Sequence, residues 1–125
     1  MADDPDTLQQ AKLELAPERV AELAASGEAV LIDVRQDYEW ERGRIAGARH
    51  VEVNQLTAEA ASIPKDRPVV FCCRSGSRSG MAAQAFRAGG WDAHNMADGI
   101  TAWVGAGFEL EPENGTVAEA RPPSA

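Results

Sequence analysis

The feature that most constrains this chain is an abrupt change of character across residues 69–81. Val69-Val70-Phe71-Cys72 is an unbroken apolar run, and Cys73 closes it. Arg74-Ser75-Gly76-Ser77-Arg78-Ser79-Gly80 follows before apolar residues resume at Met81. A short continuous apolar run suits a strand covered on both faces, as in a parallel sheet flanked by helices. The pattern is therefore strand, loop, helix, with a cysteine delivered to the carboxyl end of the strand. Ligands of open parallel sheets sit at that end.

The flanking sequence repeats this alternation. Residues 12–15 are expected to form a short strand, and Pro17 suits the first position of a helix. Val20, Leu23 and Ala24 recur at helical spacing, and Gly27 can end that helix. Ala29-Val30-Leu31-Ile32 reads as a second buried strand, with a small one near Ala48 to Val51. Residues 55–63 predict a helix with Leu56, Ala60 and Ile63 inward. Met81, Ala82, Ala85 and Phe86 predict one stripe of a helix ending at Gly89-Gly90. Trp91 to Met96 predicts the last strand, and Ile100, Trp103 and Val104 a final short helix. Strands alternating with helices define an α/β domain with a mostly parallel sheet, expected to have about five strands flanked by helices on both faces.

With 125 residues, 44% of them hydrophobic, the chain is expected to hold one domain with its own core. Residues 1–10 (with Asp3, Asp4 and Asp6) predict a flexible acidic lead-in, 11–111 the domain, and 112–125 (with Pro112, Gly115, Pro122 and Pro123) a flexible tail. The net charge of −8 argues against nucleic acid or anionic lipid as partner. Yet Arg35, Arg42, Arg44, Arg49, Arg74 and Arg78 cluster in the middle, so a local positive site is still available. Cys72 and Cys73 are adjacent, with α-carbons about 3.8 Å apart across a trans peptide. That is shorter than the usual disulfide span of roughly 4.4–6.8 Å, so both are expected as thiols. Thiols imply a reducing compartment. With no secretory pattern at the start and no membrane-length apolar run, a cytoplasmic location is expected.

Three effects converge on Cys73. A helix N-terminus offers partial positive charge and free amides, which favours thiolate over thiol. Arg74 and Arg78 add positive charge. Ser75, Gly76 and Ser77 are small enough for the backbone to curl with its amides inward, and Gly76 can take the positive φ that a tight anion-holding loop requires. Cys72 should point to the opposite face and act as a small buried hydrophobe.

The loop from Cys73 to Arg78 resembles that of the rhodanese family. Four residues lie between Cys73 and Arg78, one fewer than in the cysteine phosphatases, which makes a cradle better suited to sulfur than to a phosphoryl group. Ile32-Asp33-Val34-Arg35 is similar to the family's Asp-x-Arg segment. Glu39, Gly43, Ile45, Gly47 and Ala48 match its Gly-His-Ile-Pro-Gly-Ala region, with Arg44 and Ala46 replacing the usual His and Pro. Asp98-Gly99-Ile100-Thr101-Ala102-Trp103 is similar to the closing Gly-Gly-x-x-Ala-Trp segment, with Asp98 in place of the first Gly. The resemblance runs over roughly residues 12 to 111.

The resemblance implies a thiosulfate sulfurtransferase. Cys73 would take sulfur from thiosulfate or a persulfide, hold it as a persulfide, and pass it to cyanide, a thiol or a protein. Arg74, Ser75, Gly76, Ser77 and Arg78 would bind the persulfide or the donor, with Asp33 and Arg35 in support. No cofactor and no metal are implied. Among the other groups, Ser75, Ser77 or Ser79 is expected to donate to sulfur, and one of the serines to cap the helix. At a helix start Arg78 opposes the dipole, so it should have an anion or a carboxylate partner. His50 and His94 are not spaced as metal ligands with the cysteines, and Glu39 is not needed as a base. The competing readings are a sulfur carrier serving a protein partner without turnover, a cysteine phosphatase or arsenate reductase, and a non-catalytic regulatory domain.

Overall fold

The computed structural model describes residues 12–118. The elements run β1 (Glu14–Leu15), α1 (Pro17–Ser26), β2 (Val30–Asp33), α2 (Asp37–Arg42), β3 (Arg49–His50), α3 (Leu56–Glu59), β4 (Val69–Cys72), α4 (Ser77–Ala88), β5 (Ala93–Met96) and α5 (Gly99–Gly105). The five strands form one sheet in the order β1-β5-β4-β2-β3. Every pairing is parallel, including Val30↔Val69 through Asp33↔Cys72 at the centre. This is the α/β architecture that the alternation predicted.

The apolar run sits where its composition demands, on the central strand, with Val69, Val70, Phe71 and Cys72 all at 0% exposure. Side chains alternate across it. Val69, Phe71 and Cys73 face a cluster with Ile32, Leu56, Ala82, Ala83 and Phe86. Val70 and Cys72 face Leu15, Val20, Leu23, Met96, Ile100 and Trp103 on the other side. Helices therefore cover both faces: α3 and α4 on one, α1 and α5 on the other.

Three expectations need correction. The helix over 55–63 is broken into a 3-10 turn at Val53–Gln55, the single turn of α3, and another 3-10 turn at Ala60–Ser62. The Ser62 hydroxyl donates back to the Glu59 carbonyl at 2.7 Å, closing the end of the segment. Leu56 and Ile63 still point inward. On α4 the inward stripe is Ser79, Ala82, Ala83 and Phe86, while Met81 is 74% exposed and Ala85 is also exposed. Ser79 is drawn to the Cys73 sulfur, and the i, i+3, i+4, i+7 positions from it must then share the buried face. Val104 is likewise exposed rather than inward.

The third correction concerns the expected tail. Arg44 and Glu111 form an antiparallel bridge, the Thr116 amide donates to the Arg42 carbonyl at 2.9 Å, and Ala118 is buried. From 112 to 118 the chain lies on the domain, because Val117 covers the second cluster. Residues 1–10 and 119–125, also expected to be flexible, lie outside the described residues.

Arg44, which replaces the family's usual His, contributes to this docking. Its side chain lies 5.3 Å over the Trp40 ring, and Nη1 donates to the Trp40 carbonyl at 3.2 Å. Among the described residues, no helix is long and apolar enough to cross a membrane.

Phe71→Ala is expected to cost about 3–5 kcal/mol, as for other buried aromatics. Met81→Ala should change stability by less than about 0.5 kcal/mol. Urea unfolding of the two variants checks the burial of β4 and the outward placement of Met81 on α4.

Candidate active site

β4 ends at Cys72, and the next residue begins a loop that curls back over its own sulfur. Gly76 adopts φ +100°, the left-handed region a β-carbon disfavours, and from there its amide donates to Cys73 Sγ at 3.1 Å. At the first turn of α4, the Ser79 amide lies 3.4 Å from Sγ. The Ser79 hydroxyl lies 3.3 Å from the same sulfur. A sulfur at the end of the central strand is thus ringed by polar hydrogens beside a helix N-terminus. Cys73 is itself wholly buried. Inward-facing amides of this kind form a concavity that favours negative charge.

The cradle is held from behind by α5. The Ile100 amide donates to the Cys73 carbonyl at 2.8 Å, and the Thr101 amide to the Arg74 carbonyl at 3.2 Å. The Thr101 hydroxyl adds a bond to the Arg74 carbonyl at 3.0 Å. At Gly99 a β-carbon would lie 2.4 Å from the carbonyl oxygens of both Cys73 and Arg74, so only glycine lets the two backbones meet this closely. Asp98, standing where the family has glycine, adopts φ +59°, a conformation that Asp tolerates.

Two buried ion pairs frame the loop. Arg35 and Asp33, both at 0% exposure, meet through Nη2–Oδ2 at 2.8 Å, and Arg35 Nη2 also donates to the Gly43 carbonyl at 2.7 Å. The Asp33 carboxylate is thus occupied by Arg35, whose own Nη1 has no hydrogen-bond partner among the described residues. Arg78 grips Glu39 through two bonds, at 2.9 and 3.1 Å. Its guanidinium nitrogens serve this carboxylate, the partner that its place at the helix start required.

Burial would raise the Glu39 carboxyl. The Arg78 hydrogen bond, the Gln36 amide and the charges of Arg78 and Arg35 together outweigh burial and hold it below its ordinary value. The hydrogen bond to Glu39 raises Arg78 in turn, against burial, with further help from the charges of Glu39, Cys73 and Asp33.

Ser75 and Ser77 are exposed at the mouth. No serine side chain caps α4, whose N-cap is Gly76. Arg74 is half-buried, and its Nε has no hydrogen-bond partner among the described residues. Cys72 and Cys73 are both free thiols. Burial, with the nearby Asp33 charge, pushes the Cys72 thiol well above its ordinary range, against the pull of Arg35. Cys72 is packed in the second core cluster.

The histidines bond elsewhere: His50 Nε2 donates to the Arg35 carbonyl at 2.7 Å, and His94 Nε2 meets Asp92 at 2.7 Å. Asp37, His50 and Glu52 bring potential metal-ligand atoms within 4.8 Å of one another, without either cysteine. The sequence reading missed Asn95 and Glu14, which reach the loop from β5 and β1. The available signal was an asparagine inside an apolar strand, which must find partners when buried.

A central parallel strand thus delivers a cysteine to a loop whose Gly76 and Ser79 amides lie against its sulfur. Residues 16–106 match the Rhodanese-like domain family, and the chain belongs to that family. It is 41% identical over 78 residues to the uncharacterized protein YqhL of Bacillus subtilis, a match covering 62% of each chain. It is 31% identical over 99 residues to the thiosulfate sulfurtransferase GlpE of Pseudomonas aeruginosa, covering 78% of this chain and 86% of that one. A rhodanese-like domain protein from Staphylococcus aureus superposes with a TM-score of 0.70 at 26% identity, over 78% of this chain and 95% of that one.

The Glu39 pair makes a pH prediction. A carboxylate held below its unfolded value, about 4.5, stabilises the fold above that pH, and the stabilisation is lost as pH falls through the lower folded value. Glu39→Gln should cost about 1.5–3 kcal/mol at neutral pH, the range for hydrogen bonds to charged groups. It should also flatten the loss of stability in that acid window. Urea midpoints measured against pH for the two proteins check both points.

Proposed function

We propose that this protein is a sulfurtransferase that carries sulfane sulfur as a persulfide on Cys73. The observation that carries the reading is the pair of backbone amides, of Gly76 and Ser79, that lie against Cys73 Sγ. In this reaction the Cys73 thiolate attacks the outer sulfur of thiosulfate. A new S–S bond forms, the S–S bond of the donor breaks, and sulfite leaves with its electron pair. The anionic terminal sulfur is then stabilised by the same donors, and the spacing of the loop suits one atom rather than a tetrahedral group. A nucleophile, such as cyanide, a thiol or a protein thiolate, removes the outer sulfur and restores the Cys73 thiolate. None of these steps needs a metal or an organic cofactor.

The two loop arginines divide the work. Arg78 is committed to Glu39 and keeps its charge near the sulfur. Arg74, with its unpartnered Nε at the edge of the loop, is the better candidate to hold donor oxyanions. Asp33 and Arg35 support the loop from below. GlpE, named a thiosulfate sulfurtransferase, is the relative whose donor fits this reading. The paired thiols suit a reducing compartment such as the cytoplasm.

Incubation of the reduced protein with thiosulfate should add a single sulfur to the intact mass. Cys73→Ser should add none, and Cys72→Ser should still load. With cyanide as acceptor, turnover should fall to the uncatalysed background in Cys73→Ser. Loading without turnover would turn the reading toward a carrier for a protein partner, and turnover of a phosphate ester without loading would overturn it. Arg74→Ala should raise the KM for thiosulfate about tenfold with a smaller change in kcat, the pattern of a lost ground-state contact.

A further inference from the structure

Asn95 is 2% exposed in the middle of β5, and its amide is locked in one orientation. Nδ2 donates to Glu14 at 2.9 and 3.1 Å and to the Gly76 carbonyl at 3.0 Å. Turning the amide over would press Oδ1 against that carboxylate and that carbonyl. Oδ1 is therefore left as a fixed acceptor, 2.5 Å from the Ser79 hydroxyl.

A serine hydroxyl has one proton to donate. Two acceptors face it: Asn95 Oδ1 at 2.5 Å and Cys73 Sγ at 3.3 Å. With Cys73 as a thiol, the chain closes. The S–H donates to Ser79 Oγ, and the Ser79 O–H donates to Asn95. With an anionic sulfur, the Ser79 proton has to turn toward Sγ, and Asn95 Oδ1 is left buried without a donor.

We infer that Asn95 is a positioning residue that holds the Ser79 proton away from Cys73 and so sets how readily the sulfur ionises. Glu14, exposed on the edge strand β1, holds Asn95 in that role. The inference rests on Cys73 being the reacting sulfur, and it assigns the control of that sulfur to β5 and β1, remote from the loop in sequence.

The charged and titratable groups on the elements packed around the loop are Arg78 on α4, Glu39 on α2, Asp33 and Arg35 at the end of β2, Cys72 on β4, Arg74 in the loop, Asp98 at the start of α5 and Glu14 on β1. Arg78 with Glu39 and Arg35 with Asp33 are internally paired. Asn95 carries no charge, so its removal leaves all of these in place.

The test is the rate at which iodoacetamide alkylates Cys73, followed against pH by peptide mass in the full-length reduced protein. Asn95→Ala should move the rise in rate to lower pH and quicken alkylation about tenfold on the acid side, the worth of one hydrogen bond. Glu14→Ala, an exposed change that keeps the fold, should move it the same way by less, because the amide is free to turn. In a Ser79→Ala background both effects should vanish, since they act through that hydroxyl. A shift to higher pH, no shift in either variant, or the same shift without the Ser79 hydroxyl would overturn the inference. Alkylation needs no sulfur donor, so a failure to load from thiosulfate would count against the proposed function alone.

Discussion

The loop after β4 brings the amides of Gly76 and Ser79 onto Cys73 from a turn whose first two carbonyls are held on the other side. A peptide unit points its N–H and its C=O in opposite directions, so whatever binds the carbonyls of Cys73 and Arg74 also fixes the amides of Arg74 and Ser75, and with them the start of that turn. Here that binder is the first turn of α5, through Ile100 and Thr101. Gly99 permits the approach, since any side chain there would overlap both carbonyls. The cradle is therefore a property of two elements pressed together, and the conformation of Gly76 is its last step.

Charge around the site is arranged to be present but internally satisfied. Two arginines and two carboxylates lie within or against the core, and each arginine faces one carboxylate. For the wholly buried Arg35–Asp33 pair, removing one partner leaves a buried charge uncompensated, which typically costs about 3–5 kcal/mol. The Arg78–Glu39 pair ties α4 to α2, and the Arg35 bond to the Gly43 carbonyl ties the end of β2 to the end of α2. An acidic chain thereby keeps a positive group, Arg78, near its sulfur.

Much of this was legible beforehand. The apolar run 69–72 reported its own burial, because a strand covered on both faces has no polar side to show. Cys73 and Gly76 were legible because small residues and a helix start leave few alternatives for that loop. The α4 stripe was not legible, because Met81 and Ala85 have the same helical spacing as the true inward set, and the side chain that breaks the tie is polar Ser79. The docking of residues 111–118 was also hidden, since their composition reads as tail and their partners lie far back in the chain.

By itself, the sequence determined the alternation of elements, the central place of β4 and the delivery of a cysteine to its carboxyl end. Each of these follows from local periodicity, turn chemistry and spacing. Only the tertiary structure decided what each polar group would bind. Arg78 took Glu39, 39 residues away, and Asn95 took Glu14, 81 residues away. Such choices are made by distance in space under the demand that buried polar groups be paired, and no local pattern encodes that distance.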